Sequence, residues 1–184
     1  MQPAIFLDRD GVINQNRADY VRTWEQVEFL PGVFDALRRL AGSDYAVIVV
    51  TNQSAVGRGI MAAERLQAIH DRIAQRIAAE GGRLDAFYAC PHRPDDGCDC
   101  RKPRPGMLLQ AAAELDIDLA ASFRVGDAVT DVDAALAAGC RPVMVRTGRG
   151  VSQLAKLQER GSNGVVVVED LAAAVAWILD RRVV

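Results

Sequence analysis

The feature that most constrains the fold of this chain is a regular alternation of short apolar runs with helical patterns. Six short runs, several of them rich in valine, are typical of strands that are buried on both faces. They lie at residues 4–7, 46–50, 86–89, 123–125, 143–145 and 165–168. Between the runs, apolar residues recur at spacings of three and four, which indicates helices. A repeated strand-then-helix order implies parallel strands with helices on both faces of the sheet.

Five apolar stripes predict the helices. They comprise Val33, Ala36, Leu37, Leu40 and Ala41; Leu66, Ile69, Ile73 and Ile77; Met107, Leu108, Ala111, Ala112 and Leu115; Val132, Ala135, Leu136 and Gly139; and Leu171, Val175, Ile178 and Leu179. The chain has no internal repeat, low-complexity tract or clear linker, so we expect one domain over residues 1–184. No segment between the elements is long enough for a large cap domain. The predicted fold is a three-layer, Rossmann-like α/β sheet whose site is covered only by loops.

Composition and charge exclude several classes of function. The formal net charge of −2 gives no sign of a nucleic-acid-binding surface. No apolar run approaches the roughly 18 residues of a membrane span. The first apolar run has no basic region before it and is interrupted by Asp8, unlike a signal peptide. We therefore expect a cytoplasmic monomer with neither nucleic acid nor membrane as a partner.

Two carboxylates follow the first predicted strand, where Asp8 and Asp10 flank Arg9 and precede Gly11. The carboxyl end of a strand in an open α/β sheet is the usual place for a site. One carboxylate there can attack an electrophile while the other moves a proton. Two close negative charges repel each other, so the pair favours a cation such as Mg²⁺. The alternative is a simple Asp/Gly turn after a strand.

Polar residues also follow the second predicted strand, in a segment that can bind phosphate oxygens or cap a helix. The segment consists of Thr51, Asn52, Gln53 and Ser54. Further along, Arg101 and Lys102 offer a guanidinium fork and a point charge to a phosphate, although adjacent basic residues also occur in solvated loops. The fourth strand leads to Asp127, with Asp131 four residues later, where it could also cap a helix.

The order Asp-x-Asp, Thr, Lys and Gly-Asp-x₃-Asp, each at or just beyond a strand end, resembles the motif set of the haloacid dehalogenase-like hydrolases. The resemblance covers residues 4–148. Members of that family are mostly phosphatases that work through an aspartyl-phosphate. By position, the resemblance implies that Asp8 is the nucleophile and Asp10 the general acid/base. It also implies that Thr51 and Lys102 hold the transferring phosphoryl group.

The same resemblance implies a catalytic Mg²⁺ ion. Its expected ligands are Asp8, the backbone carbonyl of Asp10, and Asp127, with Asp131 as a supporting acid. A phosphoryl transition state spreads negative charge over its oxygens, so positioning and electrostatic stabilisation provide most of the catalysis. A cation together with Lys102 would mask the charge of the attacking carboxylate.

A second motif is a cluster of cysteines and a histidine. Three thiolates and one imidazole form a closed tetrahedral set, so we predict a small structural Zn²⁺ loop with the ligands Cys90, His92, Cys98 and Cys100. Disulfides or scattered free thiols are the alternatives, but a disulfide framework does not suit a chain with no secretory signal. The zinc would hold the loop that carries Arg101 and Lys102. Cys140, alone at a helix end, is predicted to be a buried small side chain.

The zinc loop narrows the resemblance. Together with the Asp-Arg-Asp-Gly and Thr-Asn-Gln-Ser motifs, this loop makes the chain similar to one branch of the family. That branch removes the 7-phosphate of D-glycero-D-manno-heptose 1,7-bisphosphate in heptose biosynthesis for lipopolysaccharide or surface glycans. The histidinol-phosphate phosphatases share the loop and are the alternative. The runs at 105–107 and 145–150 favour the heptose branch. Two residues depart from the pattern of that branch: Val12 stands where a threonine is common, and Ala128 stands where a basic residue is common. The change at Ala128 leaves one substrate contact open.

The loop after the first strand is the candidate cover of the site. Within residues 16–21, the resemblance implies that Asn16 and Tyr20 contact sugar hydroxyls. The loop could equally be a polar connection. Arg101 is expected to recognise the non-reacting phosphate or the sugar.

Three further residues are weaker candidates. Arg146 and Arg149 follow a late strand, but surface arginines are common. His70 lies between Ile69 and Asp71, and we expect it at the flank of the packed face of the second helix.

Two hypotheses from other classes stay open. A signalling receiver domain also has acids at strand ends, a Thr and a Lys, but it accepts the phosphoryl group on an aspartate of a middle strand. A zinc-stabilised binding protein with vestigial motifs would keep the fold without turnover. The intact set of Asp8, Asp10, Lys102 and Asp127 favours an enzyme that turns over a small phosphorylated substrate.

Overall fold

The computed structural model describes residues 1–161 and 164–180, in which strands and helices alternate. The strands are β1 (Ala4–Leu7), β2 (Ala46–Asn52), β3 (Ala86–Cys90), β4 (Phe123–Gly126), β5 (Arg141–Val145) and β6 (Val166–Val168). The helices are α1 (Val33–Ala41), α2 (Ala63–Ala79), α3 (Gly106–Leu115), α4 (Val129–Ala138), α5 (Gly150–Glu159) and α6 (Leu171–Asp180). Two short 3₁₀ turns, Trp24–Gln26 and Pro94–Asp96, lie in the connections after β1 and β3.

These strands form one parallel sheet in the order β3-β2-β1-β4-β5-β6. The first strand is central: Ala4 pairs with Ala46 of β2, and Ile5 pairs with Phe123 of β4. The chain runs outwards from β1 to β3 and then returns to β4 on the other side, so the strand order reverses between β1 and β4. Ligands bind beyond the carboxyl ends of the strands at such a reversal.

Alternate residues of β1 face two parts of the core. Ile5 and Leu7 belong to a cluster with residues of α1, α2 and α6, whereas Ala4 and Phe6 pack with residues of α3 and α4. All four side chains are fully buried, as expected for a central strand with helices on both faces. The predicted three-layer arrangement is confirmed, and the described residues contain no large cap domain.

Helix α2 shows how closely the apolar pattern predicts the packed face. Leu66, Ile69, Ile73 and Ile77 are all buried. His70 is also buried, with 2% of its surface exposed, and so lies within this face rather than at its flank. In the part of the chain that is described, no helix combines the length and apolar character needed to cross a membrane.

Helix α5 is an element that the sequence pattern does not predict. Only Gly150 and Leu157 of this helix are buried, and Val151 is 67% exposed. Leu157 packs with Val132 of α4 and Met144 of β5. Because the helix contacts its neighbours along a narrow strip, it needs few buried apolar residues, and no long apolar stripe marks it in the sequence.

Candidate active site

Asp8 follows β1 directly and is the buried carboxylate at the centre of the site. Its Oδ1 atom lies 3.0 Å from Nζ of Lys102 and 3.9 Å from a guanidinium nitrogen of Arg124. Its backbone N–H donates to the carbonyl of Val125 on β4. Burial raises the pKa of Asp8 to about 6, even though Lys102 lowers it. Further positive charge beside Asp8 would therefore favour the ionised carboxylate.

Asp131 links the cations of the site to helix α4. Its Oδ1 atom accepts hydrogen bonds from Nζ of Lys102 at 2.7 Å and from Nη2 of Arg124 at 2.6 Å. Its Oδ2 atom accepts one from the backbone N–H of Ala128 at 3.2 Å, where α4 begins. Burial would raise the pKa of Asp131, but Lys102 and Arg124 lower it to about 2. One carboxylate thus orients Lys102 and caps the helix.

Asp127 is fully buried beside two glycines. Its Oδ2 atom accepts a hydrogen bond from the backbone N–H of Arg149 at 2.8 Å, and the Arg149 guanidinium lies 3.4 Å from Oδ1. A Cβ atom at Gly11 would lie 2.2 Å from Oδ2, and one at Gly148 would lie 2.4 Å from it. The two glycines also have φ values of 89° and 59°. The carboxylate therefore occupies a space that only glycines leave open.

The three buried acids provide a set of oxygen donors. Three carboxylate oxygens, one from each of Asp8, Asp127 and Asp131, lie within 4.8 Å of one another. Mg²⁺ is bound in proteins by oxygen ligands, with one or two carboxylates among them. Asp131 is bound by Lys102 and Arg124 at 2.7 and 2.6 Å. The cation contacts of Asp8 and Asp127 are longer, at 3.0 to 3.9 Å, so these two carboxylates are the more available to a metal ion. The donor set fits the predicted Mg²⁺ ion.

The carboxylate of Asp10 is surrounded by hydrogen-bond donors. Nη2 of Arg9 lies 2.8 Å from Oδ2, Nδ2 of Asn14 lies 2.8 Å from Oδ1, and Nε2 of Gln53 lies 2.9 Å from Oδ2. Burial would raise the pKa of Asp10, but Arg9 and the two amides lower it. Asp10 is therefore a carboxylate in the free protein, which is the form that can accept a proton.

The side chains after β2 connect Asp10 with the backbone of Lys102. Gln53, besides contacting Asp10, donates to Oγ1 of the buried Thr51 at 2.9 Å. Nδ2 of Asn52 donates to the carbonyl of Lys102, and Oδ1 of Asn52 accepts from its N–H, both at 3.1 Å. Ser54 is buried at the wall of the same cavity. The predicted segment 51–54 thus lies at the site, with Asn52 holding the Lys102 backbone in place.

A cavity of about 410 Å³ opens above Asp8. Polar and basic side chains contribute much of its wall, among them Asn16, Arg17, Tyr20, Arg101, Thr130 and Arg149. The Arg101 guanidinium donates to the carbonyl of His92 at 3.2 Å, so it is anchored to the cysteine-rich loop. Tyr20 has a φ of 67°, an uncommon backbone conformation for a bulky residue. The space is of the size of ordinary small-molecule sites.

Two charged residues of the site, Arg124 and Arg9, are absent from the candidates predicted from the sequence. Arg124 is buried within the otherwise apolar strand β4, and a charge in such a strand is the signal that could have found it. Arg9 lies between the two predicted acids and is also buried. Of the two weaker arginine candidates, Arg149 lies at the site. Arg146 instead pairs with Glu169 at 3.0 Å.

The four predicted zinc ligands lie together after β3. Sγ of Cys90 is 3.2 Å from Sγ of Cys100 and 3.7 Å from Sγ of Cys98, and Nδ1 of His92 is 3.2 Å from Sγ of Cys100. Sulfurs on one tetrahedral zinc lie about 3.8 Å apart, whereas disulfide sulfurs lie about 2 Å apart. The cysteines are free, and burial raises the pKa of Cys100 to about 12. The cluster could hold Zn²⁺, whose charge would favour the thiolates.

Cys140 lies apart from this cluster. It is buried in the core, as predicted for an isolated small side chain.

Comparisons with known proteins agree with this geometry. Residues 99–174 match the family described as HAD-hydrolase-like. The D-glycero-beta-D-manno-heptose-1,7-bisphosphate 7-phosphatase of Pseudomonas aeruginosa is 42% identical over 176 residues, which cover 96% of this chain and 97% of that protein. The enzyme of the same name from Bordetella bronchiseptica is 45% identical over 177 residues, covering 96% of this chain and 98% of that protein.

A solved structure is similarly close. It is the crystal structure of the D,D-heptose 1,7-bisphosphate phosphatase from B. bronchiseptica complexed with magnesium and phosphate. The TM-score is 0.91 at 44% identity, and the match covers 97% of this chain and 99% of that chain.

The fold, the acids at the strand ends and these similarities show that the chain belongs to the haloacid dehalogenase-like hydrolases and is a phosphatase. Within that class, it belongs to the family of the D-glycero-D-manno-heptose-1,7-bisphosphate 7-phosphatases. The family predicted from the motifs is therefore confirmed.

Proposed function

We propose that this phosphatase hydrolyses the 7-phosphate of D-glycero-D-manno-heptose 1,7-bisphosphate and leaves the 1-phosphate in place. The observation that carries the proposal is the pair of Asp8 and Lys102, buried 3.0 Å apart below a cavity with basic walls. The names of the relatives support the choice of sugar. We further propose that the protein acts as a monomer in the cytoplasm, where its product would supply lipopolysaccharide or other surface glycans.

In the first half of the proposed reaction, an oxygen of Asp8 attacks phosphorus, and the bond from phosphorus to the sugar oxygen breaks. The products are an aspartyl-phosphate on Asp8 and the heptose 1-phosphate, which now has a free hydroxyl group at position 7. Lys102 and Thr51 bind the phosphoryl oxygens, on which negative charge is spread in the transition state. A Mg²⁺ ion held by Asp8, Asp127 and the backbone carbonyl of Asp10 would supply further positive charge there.

Asp10 moves the proton in both halves of the proposed reaction. Asp10 is ionised in the free protein, so it gains a proton when the substrate binds, and in that protonated form it donates to the leaving sugar oxygen. The resulting carboxylate then takes a proton from the water that attacks the aspartyl-phosphate, which releases inorganic phosphate and restores Asp8. Arg9, Asn14 and Gln53 contact the Asp10 carboxyl group and keep it in one place.

Side chains in the wall of the cavity bind the remaining phosphate and the sugar. Arg101 offers a bidentate fork to the non-reacting phosphate, while Asn16 and Tyr20 offer polar groups to the sugar hydroxyls. Arg101 follows Cys100 directly and is bonded to the His92 carbonyl. A Zn²⁺ ion in the cysteine cluster would therefore hold the segment that presents Arg101 and Lys102.

A phosphate-release panel with Mg²⁺ tests this proposal. The substrates are both anomers of the heptose bisphosphate, histidinol phosphate, other sugar phosphates and p-nitrophenyl phosphate. We expect a heptose bisphosphate to have the highest kcat/KM, with one phosphate released per molecule. Faster turnover of histidinol phosphate than of either anomer would contradict the heptose assignment and leave the phosphatase chemistry in place.

A further inference from the structure

His70 is a buried polar residue that reaches the proposed acid/base through one other side chain. Its Nε2 atom lies 3.2 Å from Nη1 of Arg9. Arginine has only donors, so Nε2 of His70 must accept, and the ring proton must lie on Nδ1. Burial, together with the nearby Arg9 guanidinium, lowers the pKa of His70 to about 3. The imidazole is therefore a neutral acceptor at physiological pH.

Arg9 is held between His70 and Asp10. Nη2 of Arg9 lies 2.8 Å and 3.0 Å from the two oxygens of Asp10, and Nε lies 3.3 Å from Oδ1. Nη2 also donates to Oε1 of Gln53 at 3.2 Å. The Arg9 side chain is only 1% exposed. One edge of the guanidinium thus contacts the carboxyl group, while the other edge contacts the imidazole.

The orientation of the imidazole is itself fixed. Its ring stacks on Phe87 of β3, with centroids 4.7 Å apart and planes 19° from parallel. Helix α2 buries Ile69 and Ile73 on either side of His70 in the sequence, which fixes its height above the sheet. A continuous series of contacts therefore runs from Phe87 through His70 and Arg9 to Asp10.

We propose that His70 is a positioning residue for proton transfer: it fixes the Arg9 guanidinium, which in turn aligns the Asp10 carboxyl group with the leaving oxygen. The inference rests on the acid/base role of Asp10 under the proposed function. His70 itself does not line the cavity. Loss of its acceptor would free Arg9 to rotate, and Asp10 would lose its alignment.

The leaving group separates such a role from a merely structural one. A sugar alkoxide needs a proton as it departs, whereas p-nitrophenolate leaves as a stable anion. The kcat/KM value includes the steps up to release of the alcohol, so it reports the proton donation. For His70→Ala we expect a loss of about tenfold with the best sugar phosphate of the panel and of less than about twofold with p-nitrophenyl phosphate. His70→Gln, whose amide oxygen can accept from Arg9, should recover most of the difference.

Control variants make the outcome decisive. Ile73→Val, on the same buried face, should lower thermal stability without changing the ratio of the two kcat/KM values. If His70→Ala does not fold, Phe87→Leu keeps the imidazole but removes its stacking partner, and it should show the same selective loss. Equal losses on both substrates, or no loss on either, would overturn the proposal.

The Asp10→Asn variant distinguishes a failure of the positioning role of His70 from a failure of the acid/base role of Asp10. A selective loss in Asp10→Asn without one in the His70 and Phe87 variants would overturn only the positioning role. Equal losses on both substrates in Asp10→Asn would instead remove the acid role of Asp10, and with it both proposals about proton transfer.

Discussion

The ammonium group of Lys102 lies 3.0 Å from the carboxylate of Asp8, and both side chains are almost entirely excluded from solvent. Lys102 also binds Asp131, so a single cation is shared by two carboxylates. An attacking carboxylate must be ionised, yet burial raises the pKa of Asp8 to about 6. The cations around Asp8 therefore decide whether it is available as a nucleophile near neutral pH.

Asp8→Asn should abolish turnover while the fold is retained, because an amide cannot form the aspartyl-phosphate. Asp10→Asn should be nearly as severe with the sugar phosphate, through loss of proton transfer. Phosphate release measures both effects, and circular dichroism checks the fold. Wild-type activity in Asp8→Asn would show that Asp8 is not the nucleophile.

The stability of the free protein should depend on pH through Asp8. The pKa of Asp8 is about 6 in the folded protein and about 4 in an unfolded chain, so its contribution is present below pH 4 and is lost as the pH rises to 6. Two pH units correspond to about 3 kcal/mol. Without Mg²⁺, Asp8→Asn should gain up to this amount relative to wild type between pH 4 and pH 7.

Urea unfolding of both proteins at several pH values, with chelator present, measures this difference. Added Mg²⁺ should then stabilise the wild type more than Asp8→Asn, because the variant lacks one ligand. A stability difference that stays constant from pH 4 to pH 7 would contradict the raised pKa.

The effects of Mg²⁺ and Zn²⁺ on the protein should be separable by experiment. Activity should require Mg²⁺, disappear with excess chelator and return when Mg²⁺ is added, provided that zinc stays bound. Metal analysis of the purified protein should find about one zinc per chain, the stoichiometry of one four-ligand set. Cys98→Ser should lower the zinc content, whereas Cys140→Ser, outside the cluster, should not. Zinc-free wild-type protein with full activity would refute the structural role.

Arg101→Ala should affect the natural substrate much more than an aryl phosphate. Loss of a bidentate contact to a charged group costs roughly 1.5–3 kcal/mol, or about ten- to hundredfold in kcat/KM. p-Nitrophenyl phosphate has no second phosphate, so its kcat/KM should change little. Equal losses on both substrates would indicate that Arg101 serves the transferring phosphoryl group instead.

Gly148→Ala should disturb the metal site, because its Cβ would lie 2.4 Å from Oδ2 of Asp127. Gly161→Ala is the matched control, since Gly161 has a φ of 66° and no atom of the described residues lies within 4 Å of an added Cβ. Both variants should lose about 1–2 kcal/mol for the left-handed backbone, and Gly148→Ala should lose more, because its Cβ would also lie 2.5 Å from the Cα of Gly11. Only Gly148→Ala should need more Mg²⁺ for half-maximal activity. An unchanged Mg²⁺ requirement in Gly148→Ala would contradict the close packing around Asp127.

The sequence predicts well which residues meet at the carboxyl edge of the sheet, because those residues follow apolar runs. Parallel strands end on the same side, so Asp8, Thr51 and Asp127 can be brought together without knowledge of side-chain packing. The cysteine cluster is similarly local, since its ligands lie within 11 consecutive residues, 90–100.

Residues that reach the site from within other elements were not predicted. Arg124 has its neighbours Phe123 and Val125 buried with it, and nothing in the sequence says which carboxylate it meets. The apolar stripe of α2 places His70 only at its flank, whereas the residue is buried and contacts Arg9. Both facts depend on how α2 packs against β3. Pairings of this kind depend on tertiary packing rather than on periodicity.

During synthesis, β1 is the first strand to be made, although it becomes the central strand of the sheet. Asp8 then precedes its partners Lys102 and Asp127, and the glycine that makes room for Asp127 follows only at position 148. A nascent or truncated chain that ends before β4 therefore carries Asp8, the proposed nucleophile, with β2 beside β1 but without β4 and Asp127. During synthesis, the proposed site would therefore be complete only after Gly148 has been added, so shorter chains would not hydrolyse the phosphorylated sugars of the cell.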